Sequence, residues 1–187
     1  HCDHCLKREY INEKTGEKKI VYMHHVLEAK LVVGDMVLSI GSEFIENESE
    51  DVSKQDCELK AFYRLAEKLK KQFPRLPICI LGDSLYACEP VFELCDKYNW
   101  KYLTRFKEGR IKSIAEEFQQ IKAIEEPEQD ANTYWVNELS YNQRTVNLIE
   151  FIEDEEDEKD IKRFVFITNI KITKRNSKGL VIAGRSR

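Results

Sequence analysis

The stretch ICILGDSLYA, Ile78–Ala87, decides how the chain is read. With Leu76 and Pro77 in front of it, it forms a short continuous apolar run, the pattern of a strand covered on both faces, and it stops on Gly82 and Asp83. In sheets with parallel strands, sites gather at the carboxyl ends, where loops converge and the ladder keeps them rigid. Asp83 is the first polar side chain beyond that strand, so it is expected to be held by the strand and still reach the surface. A carboxylate so placed can bind a divalent cation through one oxygen, leaving other positions to water and phosphate. An Asp after a strand also serves as a turn former or helix cap, and the stretch alone leaves both roles open.

Working outward, residues 6–44 alternate as an antiparallel meander of three strands. LKREYIN and KIVYMHHVLEAKLVV flank a turn at Thr15-Gly16, and MVLSIGSEF follows a turn at Gly34-Asp35. Gly at the first turn position suits a type II′ hairpin. Val21, Met23, Leu27, Ala29, Leu31 and Val33 share one parity, which gives the long strand one core face. Ser53 is placed as an N-cap for a helix whose Cys57, Ala61, Leu65, Leu69 and Phe73 recur every four residues, widened by Phe62 and Ala66 and ended by Pro74. After the Asp83 strand, Pro90 opens a second helix with Val91, Leu94, Cys95 and Tyr98 on its buried stripe. WKYLTRF then reads as the next strand, and the alternation of strands and helices implies a parallel half-sheet with right-handed crossovers.

Ile111–Ile124 reads as a further helix with Ile114, Phe118 and Ile121 on one side. TYWVNEL and RTVNLIEF read as strands around Tyr141-Asn142-Gln143, RFVFITNI as a buried strand, and NSKGLVIAGRSR as a last helix with Ser177 near its cap. Trp135, Tyr134 and Tyr141 are expected to pack this hairpin onto the core; stacking on flipped bases is the alternative.

The order of elements is that of a ribonuclease H-like α/β fold, a mixed sheet of antiparallel meander plus parallel strands flanked by helices. KQDCELKAFYRLAEKL and CILGDSLYACEPVFELCDKYNWKYLTRFKEG also resemble the catalytic core of DDE-type insertion-sequence transposases, the group with a Y-x-x-R-x-x-x-E signature. The likeness covers residues 1–125 well and the remainder more loosely. It implies that residues 1–187 are a truncated catalytic core and that residues 126–163 are a β-hairpin and acidic-loop insertion within it. It implies that Asp83 is the second acid of the triad. No D-G-T-like segment for the first acid precedes the meander, so that acid is expected before His1. Arg187 matches the signature Arg, with Gly184 where the signature has Tyr, which puts the third acid past Arg187. The implied cofactor is Mg²⁺ or Mn²⁺, two ions in the intact parent, for DNA cleavage and strand transfer. The implied partner is double-stranded DNA, at transposon ends and target, with self-association of the parent. With one acid of three, the chain itself is expected to be inactive. A ribonuclease H-like nuclease or resolvase, and a non-catalytic nucleic-acid-binding remnant, are the alternatives.

Charge adds to this picture. The formal net charge is −4, yet Glu150–Asp160 alone carries −7, leaving the rest of the chain at +3. The acidic run is expected to be a solvated loop. Arg105, Lys107 and Arg110 cluster after the second parallel strand, where alternation sends Arg105 and Lys107 to one face, toward a phosphate path. Lys162, Arg163, Lys171, Lys174, Arg175, Lys178, Arg185 and Arg187 follow the run with no acid among them. Cys57, Cys79 and Cys95 fall at apolar positions, which suits reduced thiols and a cytoplasmic setting. No run approaches the ~18 apolar residues of a membrane span.

HCDHC at the start sets Cys2 and Cys5 at the spacing of half a structural zinc site, with His1 and His4 as further donors. A second half-site is missing from the sequence. His24 and His25 are consecutive in a strand and point to opposite faces, so one of them at most is available to such a site.

Overall fold

The computed structural model describes residues 5–45, 54–124, 128–130, 132–153 and 162–186. The chain divides into two compact units, His1–Leu76 and Pro77–Arg187, and each is described by itself. The Ser53 cap, the acidic stretch beyond Glu153, Cys2 and Arg187 lie outside the described residues.

The first unit holds β1 (Leu6–Ile11), β2 (Lys18–Met23), β3 (Val26–Val33), β4 (Met36–Phe44) and α1 (Lys54–Gln72). The alternation is present: from Val21 to Leu31 every odd residue is half-buried and every even one exposed, while Val33 is exposed. The three-stranded meander is not formed. β1 pairs with β2 and β3 with β4, each pair antiparallel in a sheet of its own. Alternation fixes which face a side chain takes but not which strand is its neighbour. The backbone leaves the ladder at His24-His25, so β2 folds back on β1 and β3 goes forward to β4.

The first connection is also longer than a two-residue turn. It runs from Asn12 to Glu17, with Asn12 Oδ1 accepting the Lys14 amide at 3.0 Å and Gly16 at φ +70°. Gly34-Asp35 is a two-residue turn as expected, with Gly34 at φ +58°.

Helix α1 lies on the β3–β4 hairpin. Ala61, Phe62, Leu65, Ala66 and Leu69 are buried, and Ile45 and Leu27 pack on Ala61. Gly41 leaves room for the Leu65 methyl, which a β-carbon there would meet at 3.2 Å. Glu43 ties the layers together by accepting hydrogen bonds from Arg64 Nε at 2.9 Å and Lys68 Nζ at 2.5 Å. Desolvation pulls its carboxyl up, but those two cations outweigh it and hold it below the ordinary 4.5.

The second unit is α/β. Its six-stranded sheet has the order β5 (Cys79–Gly82), β6 (Lys101–Arg105), β10 (Lys162–Thr168), β9 (Arg144–Glu153), β8 (Thr133–Tyr141), β7 (Glu128–Asp130). β5 and β6 are parallel; every other pair is antiparallel. Adjacent residues face opposite ways. Leu103, Trp135, Ile149 and Phe166 therefore form one face, capped by Leu180 and Val181 of α4 (Ser177–Arg185). Tyr102 and Glu150 lie on the other, where Phe92 of α2 (Glu89–Tyr98) stacks on Tyr102 at 4.4 Å and Lys122 of α3 (Lys112–Ile124) meets Glu150.

The β8–β9 hairpin supplies the core of this sheet: Trp135, Leu139, Val146, Leu148 and Ile149 are buried, so the core-packing expectation for Trp135 is met. Tyr134 is covered by Lys122, and Tyr141 sits edge-on to Phe92. β9 continues to Glu153, which draws the first residues of the acidic run into the sheet. Glu150 is 0% exposed and paired to Lys122 and Arg163, where a solvated loop is the expectation from charge. No helix among the described residues is long and apolar enough to cross a membrane. Cys95 is fully buried and its thiol is pushed up to about 12, mainly by desolvation, whereas Cys79 is exposed at the start of β5.

Two outcomes check these contacts. A β-carbon at Gly184 would lie 2.6 Å from the Phe166 ring, whereas one at Gly179 meets nothing within 4 Å. Gly184→Ala is expected to cost about 1–3 kcal/mol in urea unfolding, and Gly179→Ala to be neutral or to stabilise by up to ~1 kcal/mol. Because the Glu43 carboxyl is lowered on folding, its contribution is full above the unfolded value and is lost as pH falls through the folded one. Glu43→Gln is therefore expected to reduce neutral-pH stability and to flatten the acid limb below pH 4.5 in a pH series of melts.

Candidate metal and nucleic-acid site

Asp83 follows directly on β5. The strand is fixed by its parallel ladder to β6, in register from Cys79–Lys101 to Gly82–Thr104. Gly82 leaves room for Tyr86: a β-carbon there would lie 3.0–3.1 Å from the Tyr86 side chain, and Tyr86 is buried. The Asp83 side chain is exposed. Its Oδ1 accepts the Leu85 amide at 2.7 Å, and its carbonyl accepts the Tyr86 amide at 3.2 Å. The carboxylate is thus both a turn former and a surface group, with Oδ2 directed to no partner among the described residues.

Arg110, in the connection between β6 and α3, donates to the Leu85 carbonyl at 2.6 Å and braces this loop from the side. The loop then enters α2 through Cys88, with Pro90 in the first helical turn. Arg144, at the β8–β9 turn, clamps both ends of that helix, 2.8 Å from Glu89 and 2.7 Å from Asp96. Tyr102 lies under this clamp; desolvation and then the Asp96 carboxylate push its phenol up. Tyr141 is raised by burial and by Glu89, to which it is hydrogen-bonded. Sequence reading missed Arg144, Glu89, Asp96 and Phe92. The Glu89-to-Asp96 spacing of two helical turns on one face was the available signal.

The basic residues divide sharply. Arg105 donates to the Arg163 carbonyl at 2.6 Å, and its guanidinium lies over Phe164 at 4.6 Å and Phe166 at 5.4 Å. Lys107 is exposed, but β6 ends at Arg105, so strand alternation does not carry it to the Arg105 face. Arg185 pairs with Glu153 at 2.5 Å and lies over Phe151 and Phe164. Lys178 and Lys171 face Asp130 and Glu138 at 3.6 and 3.7 Å. Lys174 and Arg175 are exposed.

Among the described residues no three His, Cys, Asp or Glu side chains converge. The alignment that sets Gly184 in the signature's Tyr place also meets a steric fact: the Phe166 ring fills that space, so an aromatic side chain has no room there. No protein-family model matches the chain, and a search of curated proteins returns no match.

Arg110→Ala removes a charged donor from the Leu85 carbonyl. It is expected to speed amide exchange at residues 84–88 and to lower stability by about 1–3 kcal/mol. Unchanged exchange would mean that Arg110 faces solvent and is available to phosphate.

Proposed function

We propose that this chain is part of the catalytic core of a DDE-type DNA transposase, with a ribonuclease H-like sheet. Asp83 contributes one carboxylate to a Mg²⁺ or Mn²⁺ site that acts on double-stranded DNA. The observation that carries the proposal is the exposed Asp83 carboxylate at the carboxyl end of a parallel strand, with one oxygen anchored to the backbone and the other open.

That donor set fits a hard cation, which takes carboxylate oxygen and keeps several waters. When bound in pairs ~3.5–4 Å apart, such ions activate the attacking oxygen and stabilise the leaving oxygen of a phosphodiester. Asp83 would hold the ion through Oδ2. The Leu85 amide and the Arg110 brace keep the carboxylate oriented, and Lys107 is the exposed cation of the β6–α3 connection that is free to meet phosphate. Arg105 supports the sheet face below and is not counted among the phosphate contacts.

A second reading, a non-catalytic nucleic-acid-binding domain on the same scaffold, draws on the same turn. Asp83 already has a structural task, and the cations Lys107, Lys174 and Arg175 remain exposed whether or not a metal binds.

Both readings require duplex DNA binding that weakens with salt, with Lys107→Ala reducing the slope of log affinity against log salt by about 0.9. They part on metal. Mg²⁺ is expected to strengthen DNA binding by the wild-type chain and not by Asp83→Asn; an equal response in both favours the non-catalytic domain. The chain alone is expected to leave supercoiled DNA intact in Mn²⁺. Nicking that Asp83→Ala abolishes would instead identify a nuclease.

A further inference from the structure

We propose that the uncovered face of the β3–β4 hairpin is an interface at which two copies of this chain pair about a two-fold axis. The proposal is independent of the function assigned to the second unit. Helix α1 covers one face of the hairpin, where Leu65 meets Gly41 and Leu27 packs on Ala61. The register assigns Val26, Glu28, Lys30 and Val32 of β3, and Phe44, Ser42, Ser39 and Val37 across from them on β4, to the other face. Every one of these residues is exposed. An antiparallel sheet with one solvated face carries polar residues there. This face is polar only in its middle: Val26 is 49% and Phe44 43% exposed at one end, Val32 45% and Val37 58% at the other. His24, whose Nε2 lies 3.3 Å from Cys5 Sγ, supports Phe44 edge-on with ring centroids 5.6 Å apart, which holds that ring in place.

The order of these side chains selects the partner. Along β3 the face runs apolar, acid, base, apolar, and along β4 it runs apolar, Ser, Ser, apolar. A two-fold axis in the plane of contact, crossing the strands between Glu28 and Lys30, reverses that order in a second copy laid on the first. Val26 then meets Val32 of the second copy, Phe44 meets Val37, Ser42 meets Ser39 and Glu28 meets Lys30. Each contact is made twice, as an isologous interface requires. Within one chain Glu28 and Lys30 lie 3.2 Å apart as an exposed pair, which by itself contributes little. Opposite a second copy each carboxylate is set between two ammonium groups. Any other partner must supply the complementary order of charge and apolar surface, whereas a second copy already carries it. The face is only two strands wide, so it buries less than the ~800 Å² per partner of a stable interface, and the association is expected to be weak.

The test is sedimentation equilibrium of the reduced chain from about 10 µM to about 1 mM, the range in which a small interface is read. The wild type is expected to pass from monomer to dimer, and no further, within it. Glu28→Lys and Lys30→Glu each set like charges opposite one another and should each weaken self-association by about tenfold or more. An equimolar mixture of the two variants should recover dimerisation, because each face then meets its opposite. Amide shifts that change on dilution of the wild type should fall on residues 26–32 and 37–44, which reads the same face without any substitution. A wild type that stays monomeric throughout, dilution shifts that lie elsewhere, or a mixture no stronger than either variant alone would overturn the proposal.

Discussion

The parallel ladder between Cys79–Gly82 and Lys101–Thr104 is the constraint on which the site depends. It fixes the point at which the chain leaves the sheet, and Gly82 admits the Tyr86 side chain against its backbone. Asp83 is what remains exposed when those two conditions are met. Its contact with the Leu85 amide removes rotamer freedom from the carboxylate, which would lower the entropic cost of binding the proposed cation.

Electrostatics in the second unit serves structure before it serves recognition. Arg144 holds α2 at both ends, Glu150 is buried between Lys122 and Arg163, and Arg105 and Arg185 lie over the Phe164 ring from different elements. Breaking a buried pair such as Glu150–Lys122 leaves a charge unpaired in the core, so these residues are constrained by the fold whatever the surface binds. The cations left for a polyanion are the exposed ones, and they are fewer than the sequence total suggests.

Much of this was legible in the sequence. The stripes of α1, α2 and α3 and the β8–β9 hairpin follow from periodicity, because burial of one face imposes it. The strand before Asp83 was legible as a strand, yet its apolar run implies cover on both faces, and it is instead the edge strand of its sheet, with Cys79 exposed and Ile80 and Leu81 half-buried. Partners were not legible. The parity of Val21 to Leu31 is real, yet it is equally compatible with one three-stranded sheet and with two hairpins, and the chain takes the second. Glu150 shows the same limit: in composition it belongs to an acidic run, in register it lies across from Val165 on a buried face. The exposed place of Asp83 after β5 was legible because a strand end is a local feature. The Arg144 clamp was missed because it joins residues 48 positions apart.

The most direct measurement is Mn²⁺ titration of the isotopically labelled chain followed by amide relaxation. The account predicts that broadening starts at residues 83–85 in the wild type and is lost there in Asp83→Asn, while the acidic run beyond Glu153 takes up ion only at higher concentration. Broadening that begins in the acidic run and passes over residues 83–85, or that is the same in both proteins, would contradict it.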